Sequence, residues 1–103
     1  MQTPLQITIR DMAHSDALEG AIREKAAKLE QFHSRITSCH VTAEQPHKHR
    51  SQGNPFTVRI DLKVPGKEIV VSRDHGEDIY VALRDAFDVA RRQLEDHARR
   101  QQP

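Results

Sequence analysis

Two histidines separated by one residue, His47 and His49, are the best candidates for metal chemistry in this 103-residue chain. They lie in the stretch "EQPHKHRSQGNP" (residues 44–55), where an extended backbone would point both imidazoles to one side as half of a site. A protein metal site of this kind needs three or four ligands, and the neighbouring residues do not supply the others. We therefore predict no metal site. A metal sensor that uses this histidine loop is the weakest of three hypotheses for the function.

The other reactive side chains do not form a pattern that catalysis requires. The sequence contains no glycine-rich phosphate loop, no nucleophile elbow and no His-Glu-x-x-His pair. Cys39 and His40 are neighbours in a strand-like pattern, so they point to opposite faces and cannot act as a dyad. Asp85 and Asp88 stand beside arginines on an outward helix face, which is typical of solvated charge. We predict that the protein is not an enzyme and that it uses no cofactor and no small-molecule substrate.

Basic residues on two helical stretches favour a different chemistry, the binding of phosphates. Lys25 and Lys28 flank the apolar stripe of the first stretch, where that helix should meet its neighbour. In the second stretch Arg84 and Arg91 are seven residues apart, and they lie nearly above one another on a helix. One interpretation is a solvated face with mixed charges. The functional interpretation is a ridge that follows RNA phosphates by shape, with the candidate residues Lys25, Lys28, Arg84, Arg91, Arg92 and Arg99.

These side chains need a scaffold, and alternation of apolar and polar residues predicts four strands. The stretches are "LQITI" (5–9), "TSCHVTA" (37–43), "FTVRIDLK" (56–63) and "EIVVSR" (68–73). Pro65 and Gly66 form a turn signal between the last two, which indicates a hairpin. Each strand has one apolar and one polar face, so we expect a sheet that is covered on one side only.

Two helices are predicted to cover the apolar face of the sheet. Ser15 is a plausible N-cap for the first helix, and Asp74 is predicted to cap the second with Glu77 completing a capping box. The fold class is therefore α+β, a two-layer sandwich of order β-α-β-β-β-α with both helices on one face of a four-stranded sheet. The apolar stripes are Leu18, Ile22, Ala26 and Leu29 in the first helix, and Ile79, Leu83, Ala86, Phe87, Ala90 and Leu94 in the second.

Length and composition limit the organisation of the chain. One domain is expected over residues 1–103, with an ordered core at about 4–98 and a solvent-exposed loop at 45–55. The 16 basic residues exceed the 15 acidic ones by one, so nucleic-acid binding would depend on the distribution of charge. The single cysteine, and the lack of a signal-like or membrane-spanning stretch, favour a cytoplasmic protein without a membrane partner.

Three stretches of the chain resemble a known family. They are "IREKAAKLEQF", "VPGKEIVVS" and "EDIYVALRDAFDVARRQLEDH". The last is similar to the family pattern E-D-M-Y-x-A-I followed by K-L-x-R-Q-L-x-K. The chain resembles the short ribosome hibernation promoting factors, a group that includes ribosome-associated inhibitor A and the sigma modulation proteins. The similarity in element order and spacing extends over about residues 4–98.

The resemblance implies a fold related in shape to double-stranded RNA-binding domains and a function without catalysis. It implies binding to rRNA of the small ribosomal subunit near the decoding region, where such proteins block the mRNA and tRNA sites of idle ribosomes. Lys25 and Lys28 match basic positions of the family's first helix, and Arg92 matches the arginine of R-Q-L.

The second helix departs from the family pattern at three positions. Val89 stands where a lysine is usual, and Glu95 and Asp96 follow R-Q-L where basic residues are common. The alternative hypothesis is therefore a regulatory protein-interaction module that has the same fold and a reduced affinity for rRNA.

Overall fold

The computed structural model describes residues 1–46 and 55–101. The loop histidines His47 and His49 lie outside the described residues, so the prediction made for them stays a prediction. The chain forms, in order, β1 (Gln6–Arg10), α1 (Asp16–Phe32), β2 (Ser38–Glu44), β3 (Phe56–Val64), β4 (Lys67–His75) and α2 (Ile79–Gln101). This is the predicted order β-α-β-β-β-α. Within the described residues, neither helix is long and apolar enough to cross a membrane.

The four strands form one sheet in the order β1-β2-β3-β4. β1 pairs with β2 in parallel, which requires a crossover connection, and α1 supplies it. β2, β3 and β4 are antiparallel neighbours. The register places Ile7 opposite Val41, Val41 opposite Ile60 and Ile60 opposite Val71. Each of the four strands therefore contributes apolar residues to one face, as their alternation predicts, while Val70 of β4 is exposed on the other face.

Both helices pack their apolar stripes on that face. All the residues predicted for the two stripes are buried, and Ala82 of α2 is buried with them. The helix stripes and the apolar strand residues belong to one core cluster, in which Ile22, Val41 and Ile60 have no exposed surface. The prediction of two helices on one sheet face is confirmed.

The two helices begin at different kinds of cap. Ser15 caps α1 as predicted, because its Oγ accepts a hydrogen bond from the Leu18 amide at 3.2 Å. The cap predicted for α2 was wrong. Asp78 Oδ1 accepts from the Tyr80 amide at 2.8 Å, whereas Asp74 lies in β4 and accepts from Thr57 Oγ1 at 2.9 Å. Strand pairing of Asp74 with Thr57 removes it from the helix terminus.

The turn between β3 and β4 has the two central residues that the sequence predicts. Val64 pairs with Lys67, which leaves Pro65 and Gly66 as the whole connection. Gly66 has a φ of 80°, the value required at the third position of a type II turn, and a side chain there would be strained. The hairpin is confirmed.

Candidate nucleic-acid interface

A groove runs between the two helices on the side of the molecule away from the sheet. We call it the interhelical groove. Lys25, Lys28 and Phe32 line it from α1, and Phe87, Asp88 and Arg91 line it from α2. It thus combines three cations, one carboxylate and aromatic surface on two rigid elements.

The positions of the two lysines follow from helix geometry. Lys25 comes three residues after Ile22 and four before Leu29, so it borders the buried stripe of α1. Its side chain is half-buried, and Lys28 is exposed. Neither lysine forms an ion pair with any residue in the ranges 1–46 and 55–101. Both ammonium groups are therefore available to an anion from solvent.

Arg91 is the cation that α2 contributes to the groove. It lies one turn after the buried Phe87, and its side chain is 47% exposed. Its Nη1 donates a hydrogen bond to Glu95 Oε1 at 2.9 Å, which partly neutralises it. A phosphate that approaches Arg91 must therefore compete with Glu95 or share the guanidinium with it.

The other predicted arginines do not line the groove. Arg84 shares the helical face of Arg91, but its guanidinium lies 3.4 Å from a carboxylate oxygen of Asp85. Arg92 is exposed and lies about 100° further around α2 than Arg91. Arg99 is exposed and bonded to Asp96. The structure thus brings together Lys25, Lys28 and Arg91, and it does not bring Arg84, Arg92 and Arg99 to them.

Two acidic residues of α1, Glu19 and Glu30, lie on the flank opposite the lysines. Glu19 lines a depression beside β1 together with Ile7 and Ile9. It also accepts a hydrogen bond from Arg23 at 2.9 Å. Glu30 bonds the N-terminal ammonium of Met1. On the flank of α1 that faces β1 both carboxylates are therefore paired with cations, while the flank toward α2 carries Lys25 and Lys28, which form no ion pair among the described residues.

Phe32 is a residue of this surface that sequence reasoning missed. It is the last residue of α1, and 73% of its surface is exposed. Its spacing of three residues from Leu29 is typical of a continuing apolar stripe, which hides it in the sequence. The signal that could reveal it is its position at the helix terminus, beyond the part of α1 that the sheet covers.

The polar face of the sheet offers a weaker nucleic-acid surface. Its side chains bond one another: Thr8 Oγ1 lies 2.8 Å from His40 Nε2, and Arg59 donates to both oxygens of Asp61 at 3.1 Å. No phenylalanine or tyrosine of the four strands points to this face in the part of the chain that the structure describes. Within the described strands, this face therefore lacks the aromatic side chains on which single-stranded bases stack.

Cys39 and a cluster around His14 are two further places where the residue types could do chemistry. Burial, with a smaller contribution from the charge of Asp61, raises the pKa of the Cys39 thiol to about 11, so this residue is a neutral core side chain. His14 Nε2 lies 3.1 Å from Asp16 Oδ1 and 3.6 Å from Glu19 Oε2, on the exposed N-terminal end of α1. Exposed acidic groups at a helix start are common and stabilise the helix dipole.

Comparison with known proteins decides the family. The family described as "Sigma 54 modulation protein / S30EA ribosomal protein" matches residues 5–102. The chain belongs to this family. The family is one of ribosome-binding proteins and not of enzymes, in agreement with the prediction of a non-catalytic protein.

Curated relatives support the assignment. A ribosome hibernation promoting factor from Azotobacter vinelandii is 34% identical over 89 residues, which cover 84% of this chain and 75% of the relative. A ribosome hibernation promotion factor from Deinococcus radiodurans is 29% identical over 89 residues, or 86% of this chain. The chain spans less than half of the length of the Deinococcus protein (46%).

Solved structures share the fold. A ribosomal subunit interface protein from Coxiella burnetii superposes with a TM-score of 0.77 at 18% identity, over 91% of this chain and 96% of the other. The N-terminal domain of Protein Y from Thermus thermophilus gives a TM-score of 0.73 at 19% identity, over 89% and 94%. The predicted fold class is thereby confirmed.

Proposed function

We propose that the protein is a cytoplasmic hibernation factor whose residues 1–103 act as one domain. In this proposal it binds rRNA of the small ribosomal subunit near the decoding region and blocks the mRNA and tRNA sites. The observation that carries the proposal is the interhelical groove, in which Lys25 and Lys28 meet Arg91 across two helices of a ribosome-associated family. The protein recognises the shape of the rRNA backbone and not its base sequence, because the phosphates are the same at every nucleotide.

The arrangement suits an A-form RNA backbone better than a free phosphate. The cations are spread along two helices, whereas a compact anion site would need several donors around one point. Lys25 and Lys28 form no ion pair within the described residues, so a phosphate that binds at these two lysines does not first have to break one. Phosphates that replace solvent ions at these lysines release counterions, which favours binding at low salt.

The alternative function is a regulatory protein-interaction module, and the ion pairs of α2 favour it. Arg84, Arg91 and Arg99 each contact a carboxylate of their own helix. Three of the six candidate cations are therefore partly neutralised. A surface of this kind binds polyanions less strongly than a surface of unpaired cations.

Co-sedimentation with purified small ribosomal subunits tests the proposal. We expect binding of the parent protein that weakens as salt rises, together with inhibition of translation in a cell-free system. The double variant Lys25→Glu/Lys28→Glu should bind more weakly and lose inhibition, with a salt dependence flatter by roughly two units of slope.

A matched control distinguishes an effect of where the lysines lie from an effect of the net charge of the protein. Lys63 and Lys67 are exposed at the hairpin end of the sheet, and reversing both to glutamate changes the net charge equally. This control should bind nearly as the parent does. Equal loss in the two double variants would remove the interhelical groove from the mechanism, and failure of the parent to sediment with subunits would favour the regulatory module.

A further inference from the structure

Phe32 separates two depressions of the surface. On one side is the interhelical groove with Lys28 and Arg91. On the other side is a depression at the end of the molecule, which we call the terminal depression. Its lining includes His33 and Arg35 from the connection after α1, and His97 from α2. The phenyl ring is thus a wall that both depressions share.

Exposure alone does not make Phe32 a binding residue, because single exposed apolar side chains are common. The structure describes two other large hydrophobic residues that are exposed, Val70 and Tyr80, and neither of them lines the interhelical groove or the terminal depression. Phe32 differs because basic side chains lie on both of its sides. Arg35, like Lys28, has no ion-pair partner among residues 1–46 and 55–101.

An apolar ring between two basic surfaces is complementary to one nucleotide of a single strand. The base is a flat π surface, and a phosphate lies on each side of it along the backbone. An aliphatic peptide would contact the ring alone, and an acidic peptide would contact the cations alone. Neither would require a ring with cations on both of its sides. A paired base in a duplex cannot reach the ring, because both of its faces are already stacked.

We propose that Phe32 is a stacking platform for an unpaired base of ribosomal RNA, with the adjacent phosphates held in the interhelical groove and the terminal depression. This inference rests on the proposed function and adds a contact to a single-stranded nucleotide at the edge of the backbone-binding surface. Any of the four bases can stack, because each has a π face.

A tryptophan reporter tests the contact directly. The chain has no tryptophan, so Phe32→Trp introduces a single one at the proposed site. We expect its fluorescence to be quenched by single-stranded oligouridine and oligoadenosine and to change little with a fully paired RNA duplex. Val70→Trp is the matched control, because Val70 is 52% exposed on the polar face of the sheet. Its fluorescence should not respond to the same single strands.

Affinity measurements distinguish stacking from electrostatic binding. Phe32→Ala should weaken binding to small subunits and to oligouridine by roughly tenfold, the loss typical of one stacked base. Its salt dependence should equal that of the parent, since no cation is removed, and Phe32→Tyr should bind as the parent does. Thermal unfolding of Phe32→Ala should be unchanged because the ring is exposed.

The failures of the two proposals are separable. If Phe32→Ala binds subunits as tightly as the parent and Phe32→Trp is not quenched, the stacking proposal is overturned while the groove remains supported by the lysine variants. A Phe32→Trp signal with intact subunits, but none with protein-free RNA extracted from them, would identify a ribosomal protein as the partner and also overturn it. Absence of subunit binding by the parent would overturn the proposed function itself.

Discussion

Lys28 of α1 and Arg91 of α2 line the same groove although they are 63 positions apart in the sequence. The two side chains meet because both helices lie on one sheet face, and each residue borders the buried stripe of its helix. The candidate surface therefore depends on the packing of the whole domain, and it is absent from either helix alone.

Removing the carboxylate of Glu95 should strengthen RNA binding. Arg91 donates to Glu95 at 2.9 Å, so Glu95→Gln removes a negative charge that competes with phosphates for Arg91. We expect an affinity for small subunits that is higher by about 1.5- to fivefold at moderate salt, the worth of one exposed ion pair. Asp96→Asn is the control, because Asp96 bonds Arg99 away from the groove. Equal gains from both variants would show that only the total charge matters.

A charge at Ile60 should unfold the domain. Ile60 has no exposed surface and lies at the centre of the sheet between Val41 and Val71. Ile60→Asp buries a carboxylate without a partner, at a cost of several kcal/mol, which is comparable to the whole stability of a small domain. Ser72→Asp is the control, since Ser72 is exposed opposite Arg59 and should be tolerated. Urea denaturation of both variants measures the difference, and similar midpoints would contradict the assigned faces.

Asp78 should stabilise α2 more than Asp74 does. Asp78→Ala removes the oxygen that accepts the Tyr80 amide, and loss of such a cap costs about 1 kcal/mol. Asp74→Ala removes only an exposed hydrogen bond to Thr57 and should cost less. Chemical denaturation monitored by circular dichroism compares the two. A larger loss for Asp74→Ala would restore the cap predicted from the sequence.

The N-cap of α2 is a feature that the sequence pattern did not predict correctly. The period of two in β4 identifies its buried face, but it does not say how far pairing with β3 extends. Phe56 pairs with His75, so the strand runs past the predicted end at residue 73 and takes Asp74 into the sheet. The capping residue is then Asp78, which directly precedes Ile79.

The candidate site could be predicted from the sequence only in part. Spacing alone placed Lys25 and Lys28 beside α2, because the border of a helix stripe follows from rotation per residue. It could not show that Arg91 reaches the same groove while Arg92 points away, since that depends on how α2 is rotated against α1. The exposure of Phe32 was also hidden, because neighbouring elements decide whether a helix terminus is covered.

The Cys39 thiol should make the protein less stable at high pH. Burial, with a smaller contribution from the charge of Asp61, raises its pKa from 9.0 to about 11. Between these values the unfolded chain loses the proton and the folded chain keeps it, so the free energy of unfolding falls as pH rises. The full effect is about 2–3 kcal/mol. Parallel urea titrations of the parent and Cys39→Ala from pH 8 to 11 should show a flatter decline for the variant. Identical slopes would mean that the thiol ionises in the folded protein as it does in the unfolded one.

The opposite flanks of α1 have a consequence for the kinetics of encounter. Glu19 and Glu30 on one flank are paired with Arg23 and the N-terminal ammonium, whereas Lys25 and Lys28 on the other flank have no ion-pair partner among the described residues. The positive potential of α1 is therefore concentrated on its lysine flank. A polyanion such as RNA exerts a torque on this uneven charge distribution, and the torque turns the lysine flank toward it before contact. The net charge of +1 gives little attraction by itself. Productive collisions would then be selected by orientation, and the association rate would fall with salt more steeply than the net charge suggests.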